Sequence, residues 1–598
     1  MTVPPLDLAD LVSDFPPATR DQWRQLAFGV LRKSGADVPP EAVEDALSTS
    51  TYDGVRIAAL HDPSDLPGAP RLVRPAAGWD VRQRHADPDP DVTGPAIQAD
   101  LENGATSIWL DFTTLDPSAL PDVLEGVYLD LAPVVLGAGS RTGEAAEIFL
   151  DLAVGTELPG GNLGADPIGL AARAGVPAGD MEGAVSLARR CAADHPRLRA
   201  IVVDALPYHD AGGSDVEELG CSIATGVAYL RTLTGAGLTV EQALSQLEFR
   251  YAATADQFLT IAKLRAARRM WARVAGVVGG TGEPARQLQH AVTSSAMMTA
   301  RDPWVNMLRT TLGCFGAGVG GADAVTVQPF DACLGLPDAF ARRIARNTQS
   351  LLMEEANVAR VIDPAGGSWY VERLTADLAA RAWAWFQEIE RAGGMADALE
   401  RLVPDRLAAT RQARAAGLAR RTDPVTGVSE FPDLGERPLT RRPGPGLAHG
   451  PVQGGLPVVR YAAEFEALRD LADARETRPA VFLATIGPVA AHTARASFAA
   501  NLFAAGGVAT VTAGPVTDPE AIADAFWAVG TPVACLCSSD SLYGLHAAEV
   551  AAALRRAGAT RIWLAGKGEY EGVDATLHTG CDALDVLRTT FDDLGVSR

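Results

Sequence analysis

The stretch ATIGPVAAHTARASFAANLFAAGG, residues 484–507, carries one imidazole, His492, at the kind of place where sheet proteins bind ligands. An apolar run at 481–484 meets a loop at Gly487-Pro488, and a helical pattern continues to Gly506-Gly507. That is the first strand, loop and helix of a doubly wound sheet, whose ligands sit at the strand ends. The loop has neither a glycine-rich phosphate cradle nor a carboxylate. It reads as the outline of a cofactor site without its contents. A second candidate is ARRIARNTQ at 341–349, which offers Arg342 and Arg346 to a phosphate. Their i,i+4 spacing with apolar residues between them reads more simply as a helix with one charged face. Asp363-Pro364 with Gly366-Gly367 reads as a strand-end turn before an edge stretch, SWYVERL, and calls for no ligand. The seven cysteines are scattered except for Cys535 and Cys537, so neither a disulfide framework nor a zinc knuckle is expected.

The elements that must position these groups fall into two sets. Residues 1–50 read as a helical arm: DQWRQLAFGVLRKSG has helix spacing, and PPEAVEDAL opens a second helix with proline in its first turn. From 51 to 400, short apolar strands alternate with long helical patterns. Strands are expected at 107–112 (SIWLDF), 126–131 (GVYLDL), 134–137, 200–205 (AIVVDA) and 324–328 (AVTVQ). Alternation over such a length favours a (β/α)8 TIM-type barrel, with two smaller sheets as the alternative. Residues 401–478 begin with a charged helix and pass into RRPGPGLAHGPVQGGLP, a linker composition. From 479 to 598, VFLATI, VATVTAG, VACLCSS and RIWLAG alternate with helices, as in a flavodoxin-like doubly wound domain.

Composition narrows the function classes. At 598 residues the chain exceeds one ordinary core, and 47% apolar with 21% charged residues is a globular composition. A net charge of -22 argues against nucleic acid, which requires a basic face. The first fifteen residues lack the basic region and apolar core of a signal peptide, and no run approaches the ~20 apolar residues of a membrane span. A cytoplasmic protein without membrane or nucleic-acid partners is expected.

Three long stretches carry a resemblance. DALPYHDAGGSDVEELGCSIATGVAYLRTL, IAKLRAARRMW and LPDAFARRIARNTQSLLMEEANVARVIDPAGGSWYVERLT closely resemble the methylmalonyl-CoA mutase family, and TYDGVRIAALHDPSDLPGAP and WDVRQ look like its approach to the barrel. The resemblance covers nearly the whole chain. It implies a barrel and a cobalamin-binding-type domain. In catalytic members, adenosylcobalamin between the two domains supports radical interconversion of methylmalonyl-CoA and succinyl-CoA. There the histidine of an Asp-x-His-x-x-Gly loop binds cobalt, and the aspartate orients the imidazole.

Against that motif, anchoring on Gly487 places Val489, Ala491 and Ala494 where aspartate, histidine and glycine belong. Sliding by one to use His492 brings Ala490 and Arg495 to the flanking positions instead. The family's Ser-x-Leu is met by Ser538-Ser539-Asp540, and its paired glycines by Ala565-Gly566. In the barrel, Tyr208-His209 match a Tyr-His pair whose histidine contacts the substrate thioester in catalytic chains. The substrate-binding Arg-Thr-His is Leu288-Gln289-His290, which removes a bidentate anion donor. An early tyrosine and a Gly-Phe-Ser turn become Arg84 and the unrelated HADPDPD, and TTLDPSALPD lacks an arginine-rich turn.

The resemblance therefore implies a non-catalytic copy of the catalytic chain, with His209, Tyr208 and His290 as vestigial candidates and no cofactor or metal bound by this chain. Adenosylcobalamin would belong to a larger catalytic subunit, paired 1:1 through the arm and barrel helices. The alternatives are a self-sufficient isomerase that holds cobalamin through His492, and a CoA- or nucleotide-binding regulatory protein, since fold alone does not decide function.

Overall fold

The computed structural model describes residues 18–66, 68, 78–176, 179–444 and 454–596. The expectation about a signal peptide, and part of the one about the glycine-rich linker (445–453), lie outside the described residues.

Ahead of the barrel, Thr19 and Gln22 close a capping box on the helix Arg20–Lys33. A short hairpin pairs β1 (Thr49–Ser50) with β2 (Arg56–Ile57). Eight parallel strands then close a barrel in chain order: β3 (Asp80–His85), β4 (Ser107–Asp111), β5 (Val134–Gly137), β6 (Gly161–Ala165), β7 (Arg199–Asp204), β8 (Leu247–Ala253), β9 (Leu288–Thr293) and β10 (Ala324–Thr326). Val325 of β10 lies opposite Ala291 of β9 on one side and Val81 of β3 on the other, so no sheet edge remains.

The stretches expected as strands at 107–112, 134–137, 200–205 and 324–328 correspond to β4, β5, β7 and β10. GVYLDL at 126–131 does not form a strand. It is a turn in which Gly126 takes a left-handed φ of 77°. Val127 and Leu129 pack on the core while Tyr128 and Leu131 are exposed, so the alternation is real but has no strand to pair with.

SWYVERL is also corrected: it opens the helix Trp369–Arg391, with the Ser368 side chain accepting from the Val371 amide. Val371, Leu374, Leu378, Trp385 and Ile389 are buried at helical spacing, and this long face outweighs the local β propensity. The helix at 341–349 is present within Ala339–Ser350, but its charged face is not fully solvated. Arg346 is buried and paired with Asp100.

The second sheet contains β11 (Ala480–Thr485), β12 (Ala509–Thr512), β13 (Val533–Cys537), β14 (Arg561–Ala565) and β15 (Ala575–Leu577) in the order β12-β11-β13-β14-β15, all parallel. This is the flavodoxin-like order. Val481 and Leu483 face one apolar core and Phe482 and Ala484 the other, because both faces are covered by helices. Between barrel and sheet lie the helices Leu402–Ala419 and Ala463–Asp473, whose Ala419, Phe465 and Leu468 join the first of those cores. Arg301, from the loop after β9, binds Glu436 (3.2 Å), Asp470 (2.5 Å) and Asp473 (2.7 Å) and so fastens the barrel to this assembly. The thiols of Cys535 and Cys537, two residues apart on β13, lie on one face 4.0 Å apart and are buried. Among the described residues, no helix is long and apolar enough to cross a membrane.

Candidate functional site

In a parallel barrel the carboxyl ends of the strands hold the reactive groups. Here those ends are occupied by ions that bind one another. Arg250 of β8 donates to Asp204 of β7 (2.8 Å), and Arg173 donates to the same carboxylate (2.5 Å). Burial alone would raise the Asp204 pKa, but the two guanidiniums outweigh it and hold the carboxyl below its usual range. Arg84 of β3 pairs with Asp111 of β4. Trp109 of β4 lies between the two cations, with Arg84 5.0 Å and Arg250 4.2 Å from the ring centre. One layer deeper, Arg82 binds Glu248 (2.5 Å), whose other oxygen accepts from Asn162 (3.0 Å). The barrel interior is thus a packed plug of paired charges around an indole.

His290 belongs to this plug. It is fully buried, meets Trp109 edge-on at 5.5 Å, accepts from Arg250 Nε at Nδ1 (3.2 Å) and faces Thr326 Oγ1 from Nε2 (2.8 Å). With Nδ1 accepting, the proton sits on Nε2 and is donated to Thr326. Burial, Arg82 and Arg250 lower its pKa well below the ordinary histidine value.

Tyr208 and His209 follow β7 in the short helix Leu206–Asp210, and both are buried. His209 Nε2 lies 2.6 Å from Ser294 Oγ, and Nδ1 lies 3.8 Å from a Glu218 carboxylate oxygen. Beside it is a cavity of about 650 Å³, closed by the β1–β2 hairpin, Asp215, Asp256, Arg414 and Tyr461. Lys263 Nζ binds Glu218 (2.7 Å) and Asp215 (2.9 Å), so the neighbouring cation is already engaged. His209 therefore touches a cavity, but its ring is held by Ser294, and the cavity's carboxyls Asp53 and Asp256 are engaged by Ser214 and by the Leu259 amide.

Burial, reinforced by Lys263, pushes the His209 pKa down to about 3. A depressed histidine stays neutral in the fold while the unfolded chain takes up a proton near 6.5, so its contribution to stability is lost as pH falls from there toward 3. His209→Gln is expected to remove that penalty. Between about pH 7.5 and about pH 5 its stability should shift by about 2 kcal/mol in its favour relative to wild type. Denaturant unfolding of both proteins at the two pH values checks this, and a parallel shift would show that His209 titrates normally.

In the second sheet the chain leaves β11 through Gly487-Pro488 and enters the helix Val489–Ala505 at once. Val489 is exposed in its first turn, Ala491 follows half-buried, and Ala494 lies exposed in the second turn. His492 is buried on the same helix, and neither ring nitrogen has a hydrogen-bond partner among the described residues. Arg495 spans the strand ends: it donates to the Ser538 carbonyl (2.7 Å) and to Asp540 (2.6 Å) and stacks on Tyr543. A Cβ on Gly566 would lie 3.1 Å from that guanidinium, so this glycine admits the arginine. Ser538 itself is turned inward, its hydroxyl donating to the Ile486 carbonyl (2.7 Å). Among the described residues no group of three or more His, Cys, Asp or Glu is placed to hold a metal.

Sequence reasoning named Tyr208, His209, His290 and Arg84 but missed Trp109, Asp204, Arg250 and the Lys263–Glu218 pair. The signal for the first two was the acidic or aromatic residue inside SIWLDF and AIVVDA. LEFRYAA, which supplies Arg250, resembles a strand only after its charges have partners.

A family model described as methylmalonyl-CoA mutase matches residues 173–442. The methylmalonyl-CoA mutase small subunit of Streptomyces virginiae is 55% identical, over 100% of both chains. That of Propionibacterium freudenreichii subsp. shermanii is 39% identical, over 98% of this chain and 97% of its own. The methylmalonyl-CoA mutase of Escherichia coli is 35% identical over only 38% of this chain and 32% of its own.

Proposed function

The chain belongs to the methylmalonyl-CoA mutase family, and we propose that it serves there as a non-catalytic small subunit. In this reading it pairs 1:1 in the cytoplasm with a larger catalytic subunit, which holds adenosylcobalamin and interconverts methylmalonyl-CoA and succinyl-CoA. The observation that carries the reading is the closed end of β11. A helix begins where a ligand-bearing loop would have to run, and Arg495 is clasped across the adjoining strand ends. These residues do not suit a corrinoid: His492 is buried within a helix, and no carboxylate stands at Val489 or Ala490 to orient an imidazole. The barrel supports the same conclusion, because Arg84, Arg173 and Arg250 are all bound to internal carboxylates that offset their charge.

The test is direct. Pure chain incubated with adenosylcobalamin and desalted is expected to show no corrinoid absorbance, and no isomerisation of methylmalonyl-CoA. Near-stoichiometric corrinoid that disappears in His492→Ala would replace this reading with that of a self-sufficient isomerase.

A further inference from the structure

A second cavity, of about 540 Å³, lies where the helix Leu402–Ala419 meets the 458–465 segment and Leu584 of the last helix. It shares Arg414, Leu418 and Tyr461 with the cavity beside His209, so these residues form the wall between the two. Its volume lies within the range of small-molecule sites. Ala408, Ala415, Val459, Phe465 and Leu584 make its surface largely apolar.

Four charged residues border it, and three are already engaged. Arg460 binds Glu466 (2.5 Å, both buried), Glu464 is paired with Arg588, and Arg414 is stacked between Tyr52 and Tyr461 (4.6 and 5.1 Å). The fourth, Arg411, donates one hydrogen bond, to the Ala211 carbonyl (3.2 Å), and has no carboxylate partner among the described residues. Several buried arginines of the barrel are matched to acids, Arg82 to Glu248, Arg250 to Asp204, Arg265 to Asp363 and Glu372, and Arg346 to Asp100, whereas Arg309 is held by Thr299, Asn306 and the Thr426 carbonyl. The stem of Arg411 is also held in place. Gly212, with a left-handed φ of 90°, lies so close that a Cβ there would come 3.0 Å from the arginine Cβ and Cγ.

We propose that this cavity binds an apolar monocarboxylate, with the Arg411 guanidinium receiving the carboxylate and the apolar walls receiving its hydrocarbon body. A planar guanidinium fork matches a carboxylate, and charge-assisted bonds beside apolar surface are strong. The chemistry also limits the ligand's charge. The chain carries a net charge of -22, which repels polyanions, and the cavity's other cations are already occupied, Arg460 by Glu466 and Arg414 by two tyrosine rings. A single negative charge on an apolar body is what the cavity can match. This site is separate from the strand-end positions discussed above and does not depend on their reading.

Titration calorimetry on the whole chain tests it, with octanoate as the probe and butyrate, octylamine and inorganic phosphate as comparisons. Octanoate is expected to bind at one saturable site with Kd below about 1 mM. Butyrate should bind much more weakly, and octylamine and phosphate not measurably. Arg411→Gln should weaken octanoate by about 10-fold or more. Ala415→Trp, which fills the cavity from the same helix one turn beyond Arg411, should abolish binding in a protein whose thermal melt is unchanged. The proposal is overturned if wild type shows no saturable octanoate site, or if octylamine or phosphate binds as well as octanoate. Full affinity in both variants would place the ligand elsewhere and overturn it equally.

Discussion

Lys263→Met is expected to cost about 3–5 kcal/mol of folding stability, the largest single-residue effect foreseen for this chain. Lys263 and Glu218 are both fully buried, 2.7 Å apart, and Asp215 lies 2.9 Å from the same ammonium. Without the lysine, Glu218 keeps only the Ala252 amide (2.7 Å) as a hydrogen-bond donor to one oxygen, and the other faces an apolar methionine with the His209 ring 3.8 Å away. Burial already raises the Glu218 pKa to about 7 against the pull of Lys263, and loss of the cation raises it further. A carboxyl whose folded pKa is raised binds its proton more tightly in the fold, so stability falls as pH rises through that range. The variant's deficit should therefore be greatest near pH 8 and shrink toward pH 5.5, and Lys263→Met/Glu218→Gln should recover most of it. Urea unfolding at about these two pH values is the measurement. An unchanged midpoint at the higher pH would show that the pair contributes nothing to the fold.

The second large effect concerns the partner. If the chain stabilises a catalytic subunit, the subunit's apparent stability should rise by about 4 kcal/mol at a thousandfold excess of this chain over the dissociation constant. The arm supplies part of the surface. The helix Arg20–Lys33 buries none of its residues, and Leu26 and Val30, one turn apart, are 74% and 67% exposed. Arg20 and Arg24 anchor that helix on Glu44, so its apolar stripe is held outward rather than left loose. An interface above ~2,000 Å² is expected for a permanent pair. Deleting residues 1–50 should weaken it and lower the soluble yield of the larger subunit, while His209→Ala and His492→Ala leave assembly intact. Co-expression, size exclusion and thermal melts of the larger subunit with and without this chain decide the matter. Equal stability, solubility and activity alone would remove the supporting role and favour a regulatory one.

The arm and the small sheet show how far local pattern reaches. DQWRQLAFGVLRKSG repeats its apolar residues at helix spacing, and VFLATI, VACLCSS and RIWLAG are apolar because strands covered on both faces must be. Such signals need no distant partner, so helix, strand and doubly wound order can be read from short stretches. The missing motif at Val489, Ala491 and Ala494 is likewise a matter of residue identity alone.

What sequence could not supply is the set of facts that depend on distant partners. LEFRYAA and LQHAVT escape detection as strands because their inward residues are Glu248, Arg250 and His290, and burying these is tolerable only once counter-charges arrive. Glu248 meets Arg82 across 166 positions and Arg250 meets Asp204 across 46. GVYLDL has the alternation of a strand but finds no neighbour to pair with. Arg495 could be numbered in advance, but its clasp on Ser538 and Asp540 exists only because β13 ends beside the helix that follows β11. The composition of each segment thus determined which elements could form. The closing of the barrel and the packing of the sheet decided which charges pair, because an ion loses its water only where the fold supplies its opposite.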